Sequence, residues 1–179
     1  MPADMNDLIP EFRQKAEALL EKCAQRGIEM RPYCTLRSPF EQAKLWRQSR
    51  TGEEVQTKIA ELKAAGADFL VFCFEHVGPQ NGRHVTNALP GFSWHQWGEA
   101  MDSFWVVEGK AEWSTRKTID DVNGYKVYVE EAVNLSLEAG GNWSSLKDWT
   151  HIQLRPESNP GSVFTLMQIN DAMKQRFET

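Results

Sequence analysis

The sequence predicts an α+β domain, a small and mostly antiparallel sheet that carries a polar site and is flanked by helices. Three observations lead there. Apolar residues recur at helical spacing near both ends of the chain. Between them lie short apolar runs bounded by Gly and Pro, which read as strands. The polar residues richest in chemistry, Ser93 to Asp102 and Asp148 to His151, fall in or just before two of those strands.

Ile9, Phe12, Ala16, Leu19, Leu20 and Cys23 share one helical face, so a helix is expected over 7–26, stopped by Gly27. Residues 28–36 read as a strand, and Pro32 implies an edge position or an irregularity in it. Ser38-Pro39-Phe40-Glu41 combines a capping side chain, Pro at the first helical position and a capping-box Glu. That helix should run to about Gln48. Thr51 opens another, with Val55, Ile59 and Leu62 on one face, ending near Gly66. Residues 67–76 carry the apolar run Phe69–Phe74 and fit a helix or a buried strand, with a helix the preferred reading. Residues 78–91 hold three Gly and two Pro and must be a loop. Residues 99–107 read as a central strand covered on both faces, interrupted only by Asp102 and Ser103. A helix is expected over 126–139, using Val129, Val133, Leu135 and Leu137 and ended by Gly140-Gly141. Residues 150–154 form a further strand, with Ile152 and Leu154 inward and His151 and Gln153 together on the opposite face. A turn at 156–162 and a helix over 163–177 close the chain.

With 179 residues, one domain over 1–179 is expected, long enough for a real core. The net charge is −5 and no basic run exists, so the electrostatic footprint of nucleic-acid binding is missing. No stretch approaches the roughly 20 apolar residues of a membrane span. The polar, acidic start is not a secretory signal. Cys23, Cys34 and Cys73 are odd in number and lack a CxxC, which fits reduced thiols buried as small hydrophobes. The seven Trp are many for this length, and six of them lie near the two polar segments, as core or as walls of a cleft. A monomer is expected.

His95 and Asp102 are seven positions apart. On one regular strand that spacing points them to opposite faces. If both serve one site, His95 must lie in the turn before the strand, with Gly98 marking the change of direction. Two imidazoles and a carboxylate, here His95, His151 and Asp102, are the ligand set of a catalytic zinc site that leaves one position for water. Asp148 is then left over as a carboxylate able to handle that water's proton. In a chain with four histidines, the pair alone does not separate a metal site from chance. His76 and His84 border the loop and read as solvated residues.

The pattern Ser93-x-His95-x-x-Gly98-x-Ala100-x-Asp102, followed by Asp148-x-x-His151, resembles the signature segments of the zinc D-Ala-D-Ala carboxypeptidase and L-alanyl-D-glutamate endopeptidase superfamily. Val85-Thr86-Asn87-Ala88 with Pro90-Gly91, and Gly140-Gly141-Asn142-Trp143, resemble its phage endolysin branch. Arg37-Ser38-Pro39-Phe40-Glu41-Gln42 resembles an upstream Arg-Ser…Gln element. The resemblance covers about 26–155, with no separate wall-binding module expected. Thr150 departs from the Pro common in that branch. The resemblance implies a Hedgehog/D-Ala-D-Ala-peptidase-like fold and Zn²⁺ held by His95, Asp102 and His151. It makes Asp148 the general base and Arg37 a stabiliser of the developing oxyanion. Ser93, Gln42 and Trp149 would contact substrate, although Ser93 could equally fix the turn and Gln42 could order Arg37 or sit on the helix surface. The implied activity is hydrolysis of peptidoglycan stem peptides, most simply at L-Ala-D-Glu. An endolysin would wait in the host bacterial cytoplasm until released to the wall. Two alternatives share the site: a D-Ala-D-Ala carboxypeptidase or dipeptidase, and a zinc-binding module without catalysis.

Overall fold

The computed structural model describes residues 3–178; Met1, Pro2 and Thr179, the extremes of the span expected as one domain, lie outside the described residues. Six helices are present among them: α1 (Pro10–Gln25), α2 (Pro39–Arg47), α3 (Gly52–Ala64), α4 (Asp68–Val77), α5 (Gly124–Asn134) and α6 (Leu166–Phe177). Five strands accompany them: β1 (Glu29–Cys34), β2 (Ala100–Val107), β3 (Lys110–Glu112), β4 (Glu138–Ala139) and β5 (His151–Gln153). The chain forms two compact units, Met1–Leu36 with Trp97–Pro156, and Arg37–Gln96 with Glu157–Thr179.

The first unit holds the whole sheet, in the order β1-β2-β5-β4 with β3 also paired to β2. Every pairing is antiparallel. Pro32 produces both outcomes its missing N–H allows: β1 lies at the edge, and its register slips between Pro32 and Cys34. β2 is central, as its apolar character predicts. Met101 and Trp105 of β2 and Ile152 of β5 join Phe12 and Leu19 of α1 and Tyr125 and Tyr128 of α5 in one core. Ser103 shares that face and accepts a hydrogen bond from the Tyr128 hydroxyl at 3.2 Å. Burial raises the Tyr128 phenol well above its ordinary pKa, so it remains a donor. By alternation, Asp102 points to the other face of the sheet.

Two helices of this unit differ from expectation in their bounds. α1 begins at Pro10, after a 3-10 turn over Met5–Asp7, because Pro at the first helical position sets the start. α5 runs from Gly124 to Asn134, not over 126–139. Asn123 caps it, accepting from Lys126 N. Ser136 then takes a positive φ of 56°, which turns the chain so that Glu138 and Ala139 pair with β5 as β4. Val133 is therefore exposed, while Leu137 enters the core.

In the second unit the helix starts match the sequence closely. Ser38 and Glu41 form a reciprocal capping box on α2, and Thr51 with Glu54 does the same on α3. Val55, Ile59 and Leu62 are the buried face of α3. α4 confirms the helix expected over 67–76, and its uncapped N–H groups find a distant partner. Asn170 Oδ1 of α6 accepts from Phe69 N at 3.0 Å and Leu70 N at 3.3 Å. α6 starts three residues later than expected because a 3-10 turn at Pro160–Ser162 precedes it and Thr165 with Gln168 caps it. Residues 78–91 contain no helix or strand, as their Gly and Pro content requires.

Cys23 and Cys73 are fully buried, and burial pushes both thiols up to about 12. Cys34 is only half-buried, contrary to the expectation for all three. A thiol whose folded pKa is raised contributes its stability fully below the unfolded value of about 8.5 and loses it as pH rises through the folded value. The unfolding free energy measured in urea should therefore fall steadily between pH 9 and 12. At pH 8 the native protein should be alkylated at Cys34 first; equal rates at all three thiols would contradict this packing.

Candidate functional site

The pairing of β2 with β5 sets Asp102 directly opposite His151. Both residues are buried, at 6% and 8% exposure. Asp102 Oδ1 lies 3.0 Å from His151 Nδ1. Donor atoms of Asp102, Asp148 and His151 all lie within 4.8 Å of one another, close enough to hold one metal ion. The ring of Trp143 packs against His151, with centroids 5.1 Å apart. Trp149 packs against the core of this unit and lies under Lys147.

Asp148 stands outside regular structure and is placed by the chain on either side of it. Its Oδ1 accepts from Thr150 N at 3.2 Å and from Thr150 Oγ1 at 2.8 Å. Proline at position 150 could make neither bond. Because the Thr150 hydroxyl proton is committed to Asp148, Tyr33 must be the donor in its 3.1 Å contact with Thr150 Oγ1. Burial raises the Tyr33 phenol pKa and the nearby Asp102 charge adds to this, which keeps that proton in place. Asp148 N also donates to Gly140 O at 3.0 Å.

Gly140 and Gly141 are small for a steric reason rather than as a helix stop. A Cβ on Gly140 would lie 2.4 Å from Asp148 O, and one on Gly141 would lie 2.6 Å from Val129 Cγ2. Gly140→Ala should therefore displace the Asp148 segment and cost about 1–3 kcal/mol in stability. The melting temperature should fall by about 2–12 °C. An unchanged melting temperature in a folded Gly140→Ala protein would contradict the steric argument.

The second unit gathers Arg37, Gln42, Ser93 and His95. His95 lies in the 3-10 turn Trp94–Trp97, just before β2 as the spacing requires, and Gly98 takes the positive φ of 70° that turns the chain. Arg37 N donates to His95 O at 3.3 Å. Gln42 is fully buried, not on the helix surface. Its Oε1 accepts from Arg37 Nη1 at 3.1 Å and from Gln96 Nε2 at 3.3 Å. Its Nε2 donates to Ala88 O at 2.8 Å. Gln96 Oε1 in turn accepts from Ser93 N, and Ser93 Oγ accepts from His95 N at 3.4 Å. Arg37 and the His95 turn are thus tied together through two buried amides. His84 is exposed, and His76 packs its ring on Phe40 and Phe72.

Sequence reasoning missed Gln96, Tyr33, Thr150 and Trp143 as neighbours of these residues. Thr150 was detectable, since an Asp-x-Thr segment favours a side-chain turn of this kind. Tyr33 was not, because its contact spans 117 positions.

A buried carboxylate–imidazole pair beside a second carboxylate, on an antiparallel α+β scaffold, defines the class: a protein with a candidate hydrolytic metal centre. The family model described as VanY, D-alanyl-D-alanine carboxypeptidase, matches residues 6–127, and the chain belongs to that peptidase family. That match includes His95 and Asp102 and ends before Asp148 and His151. The chain is 28% identical over 155 residues to the peptidoglycan L-alanyl-D-glutamate endopeptidase CwlK of Bacillus subtilis, covering 84% of this chain and 75% of that protein. The L-Ala D-Glu endopeptidase ChiX of Serratia marcescens aligns at 17% identity with a TM-score of 0.45, covering 84% and 83% of the two chains.

Proposed function

We propose that this chain is a zinc-dependent peptidoglycan peptidase that hydrolyses the L-Ala-D-Glu bond of the stem peptide. The observation that carries the reading is the cluster of Asp102, His151 and Asp148, two ligand-type groups with a spare carboxylate beside them. The similarity to CwlK supports the choice of bond.

The donor set suits zinc. Donors about 2.0–2.2 Å from a tetrahedral zinc are roughly 3.4 Å apart, and the 3.0 Å pair reaches that with a shift of a few tenths of an ångström. His95, the remaining signature histidine, is proposed as the third ligand. When bound, zinc supplies Lewis acidity and makes water acidic enough to attack near neutral pH. Asp148 takes the proton from the attacking water and returns it to the departing amine. The two hydrogen bonds from Thr150 fix Asp148 Oδ1, which leaves Oδ2 for that transfer. Arg37, held by Gln42, donates to the substrate carbonyl oxygen as negative charge builds there. Loss of such a donor costs about 3–4 kcal/mol in the transition state. Ser93 holds the His95 turn, and Trp149 lines the substrate side of the Asp148 segment.

The motifs over 85–91 and 140–143 extend the proposal to an endolysin that waits in the bacterial cytoplasm until the membrane is breached. No helix among the described residues is long and apolar enough to cross a membrane. A second reading, D-Ala-D-Ala carboxypeptidase, is favoured by the description of the matching family model. Mass spectrometry of purified peptidoglycan treated with zinc-loaded protein separates the two. New stems with amino-terminal D-Glu are expected. Free D-Ala alone would move the protein to carboxypeptidase chemistry, and no product at all would overturn both readings.

A further inference from the structure

We infer that Gln153 is a positioning residue that dictates which nitrogen of His151 faces the metal. The inference rests on the zinc reading above and concerns groups of the first unit only. Gln153 is 2% exposed and follows His151 by two residues on β5, so the two side chains share one face. Gln153 Oε1 lies 3.0 Å from His151 Nε2. Gln153 Nε2 donates to Arg155 O at 2.7 Å.

The second bond decides the first. A backbone carbonyl can only accept, so the amide must turn its NH₂ toward Arg155. That leaves the amide oxygen, which can only accept, facing His151. His151 must then carry a proton on Nε2. In the neutral ring the lone pair is on Nδ1, the nitrogen 3.0 Å from Asp102 Oδ1. Two acceptors at that distance repel unless a positive species lies between them. A divalent cation satisfies both and leaves the Nε2–H bond to Gln153 intact. Neutral imidazoles that bind metals commonly donate their other N–H in this way, and losing the acceptor typically weakens metal binding about 10–100-fold.

The carbonyl that orients Gln153 is itself held in place. Arg155 Nε donates to Glu99 Oε2 at 2.6 Å and Nη2 donates to Glu99 Oε1 at 3.4 Å. Glu99 is buried, and its own carbonyl accepts from Leu154 N at 2.9 Å. The chain of control therefore runs from Glu99 through Arg155 and Gln153 to His151. Glutamine suits the position because one end of the amide accepts and the other donates.

The test compares zinc affinity, by competition with a chromophoric chelator, in the wild type, Gln153→Met and Gln153→Glu. Met fills the space without an acceptor. Glu keeps an acceptor for the Nε2 proton. Gln153→Met should bind zinc about 10–100-fold more weakly, and Gln153→Glu, which keeps that acceptor but sets its second oxygen against the Arg155 carbonyl, should recover part of the loss. Histidine ¹⁵N correlation spectra of the zinc-loaded wild type should show His151 protonated on Nε2 with Nδ1 shifted by the metal. If Gln153→Met does not fold, the wild-type spectrum and the Glu variant still decide. A protonated Nδ1, or a folded Gln153→Met with wild-type affinity, would overturn the inference while leaving the zinc reading intact. A wild type that takes up no zinc would overturn both.

Discussion

Asp148→Asn should cut peptidase turnover by about 10²- to 10⁴-fold, the usual contribution of a positioned general base. The substitution is nearly isosteric. Asn Oδ1 can still accept from Thr150 N and Thr150 Oγ1, so the local turn should persist. What is lost is a group able to take a proton. Zinc uptake should be retained if His95, Asp102 and His151 are the ligands, which makes the variant a direct test of role. Single-turnover rates on purified stem peptide, measured with matched zinc content, would check it. Turnover within tenfold of wild type would remove Asp148 from the mechanism. Loss of zinc with loss of turnover would make Asp148 a ligand instead.

Phe12→Ala should destabilise the protein by about 3–5 kcal/mol, the cost of a large cavity in a packed core. Phe12 is fully buried and belongs to the core shared by α1, α5 and the inner face of the sheet. A domain is typically stable by only about 5–15 kcal/mol, so this is a large share. At about 2–4 °C per kcal/mol for a chain of this size, the melting temperature should drop by roughly 6–20 °C. The consequence for function follows from the architecture. Met101 and Trp105 sit in that core, while Asp102 projects from the same strand to the other face. Activity should therefore disappear at a lower temperature than in wild type but keep its bond preference. An unchanged unfolding midpoint would mean that α1 does not cover the sheet as described.

Local order was legible where local chemistry decides it. The capping boxes at Ser38 and Thr51, the edge behaviour of Pro32 and the turn at Gly98 all follow from side chains and backbone torsions within a few residues. The end of α5 was misread because Leu137 fits a helical apolar pattern as well as it fits a core-facing turn residue. Periodicity cannot separate those two until the pairing of β4 with β5 is known. Gly140-Gly141 was read as a helix stop for the same reason, whereas its small size serves close packing against Asp148 and Val129.

The sequence by itself determined the candidate ligands, the spare carboxylate and the requirement that His95 lie in a turn. Residue type and spacing supplied the candidates, because the chemistry of imidazole and carboxylate is intrinsic and strand alternation is geometric, and the resemblance to the peptidase superfamily singled out His95 and His151 among four histidines. Tertiary structure alone decided the rest. It set Asp102 opposite His151 through antiparallel register and turned Trp143 onto His151. It brought Tyr33 to Thr150 across 117 positions. It also buried Gln42, whose amide is satisfied by groups that no short sequence window contains together. The physical reason is that burial makes each such hydrogen bond obligatory, and burial is a property of the packed chain.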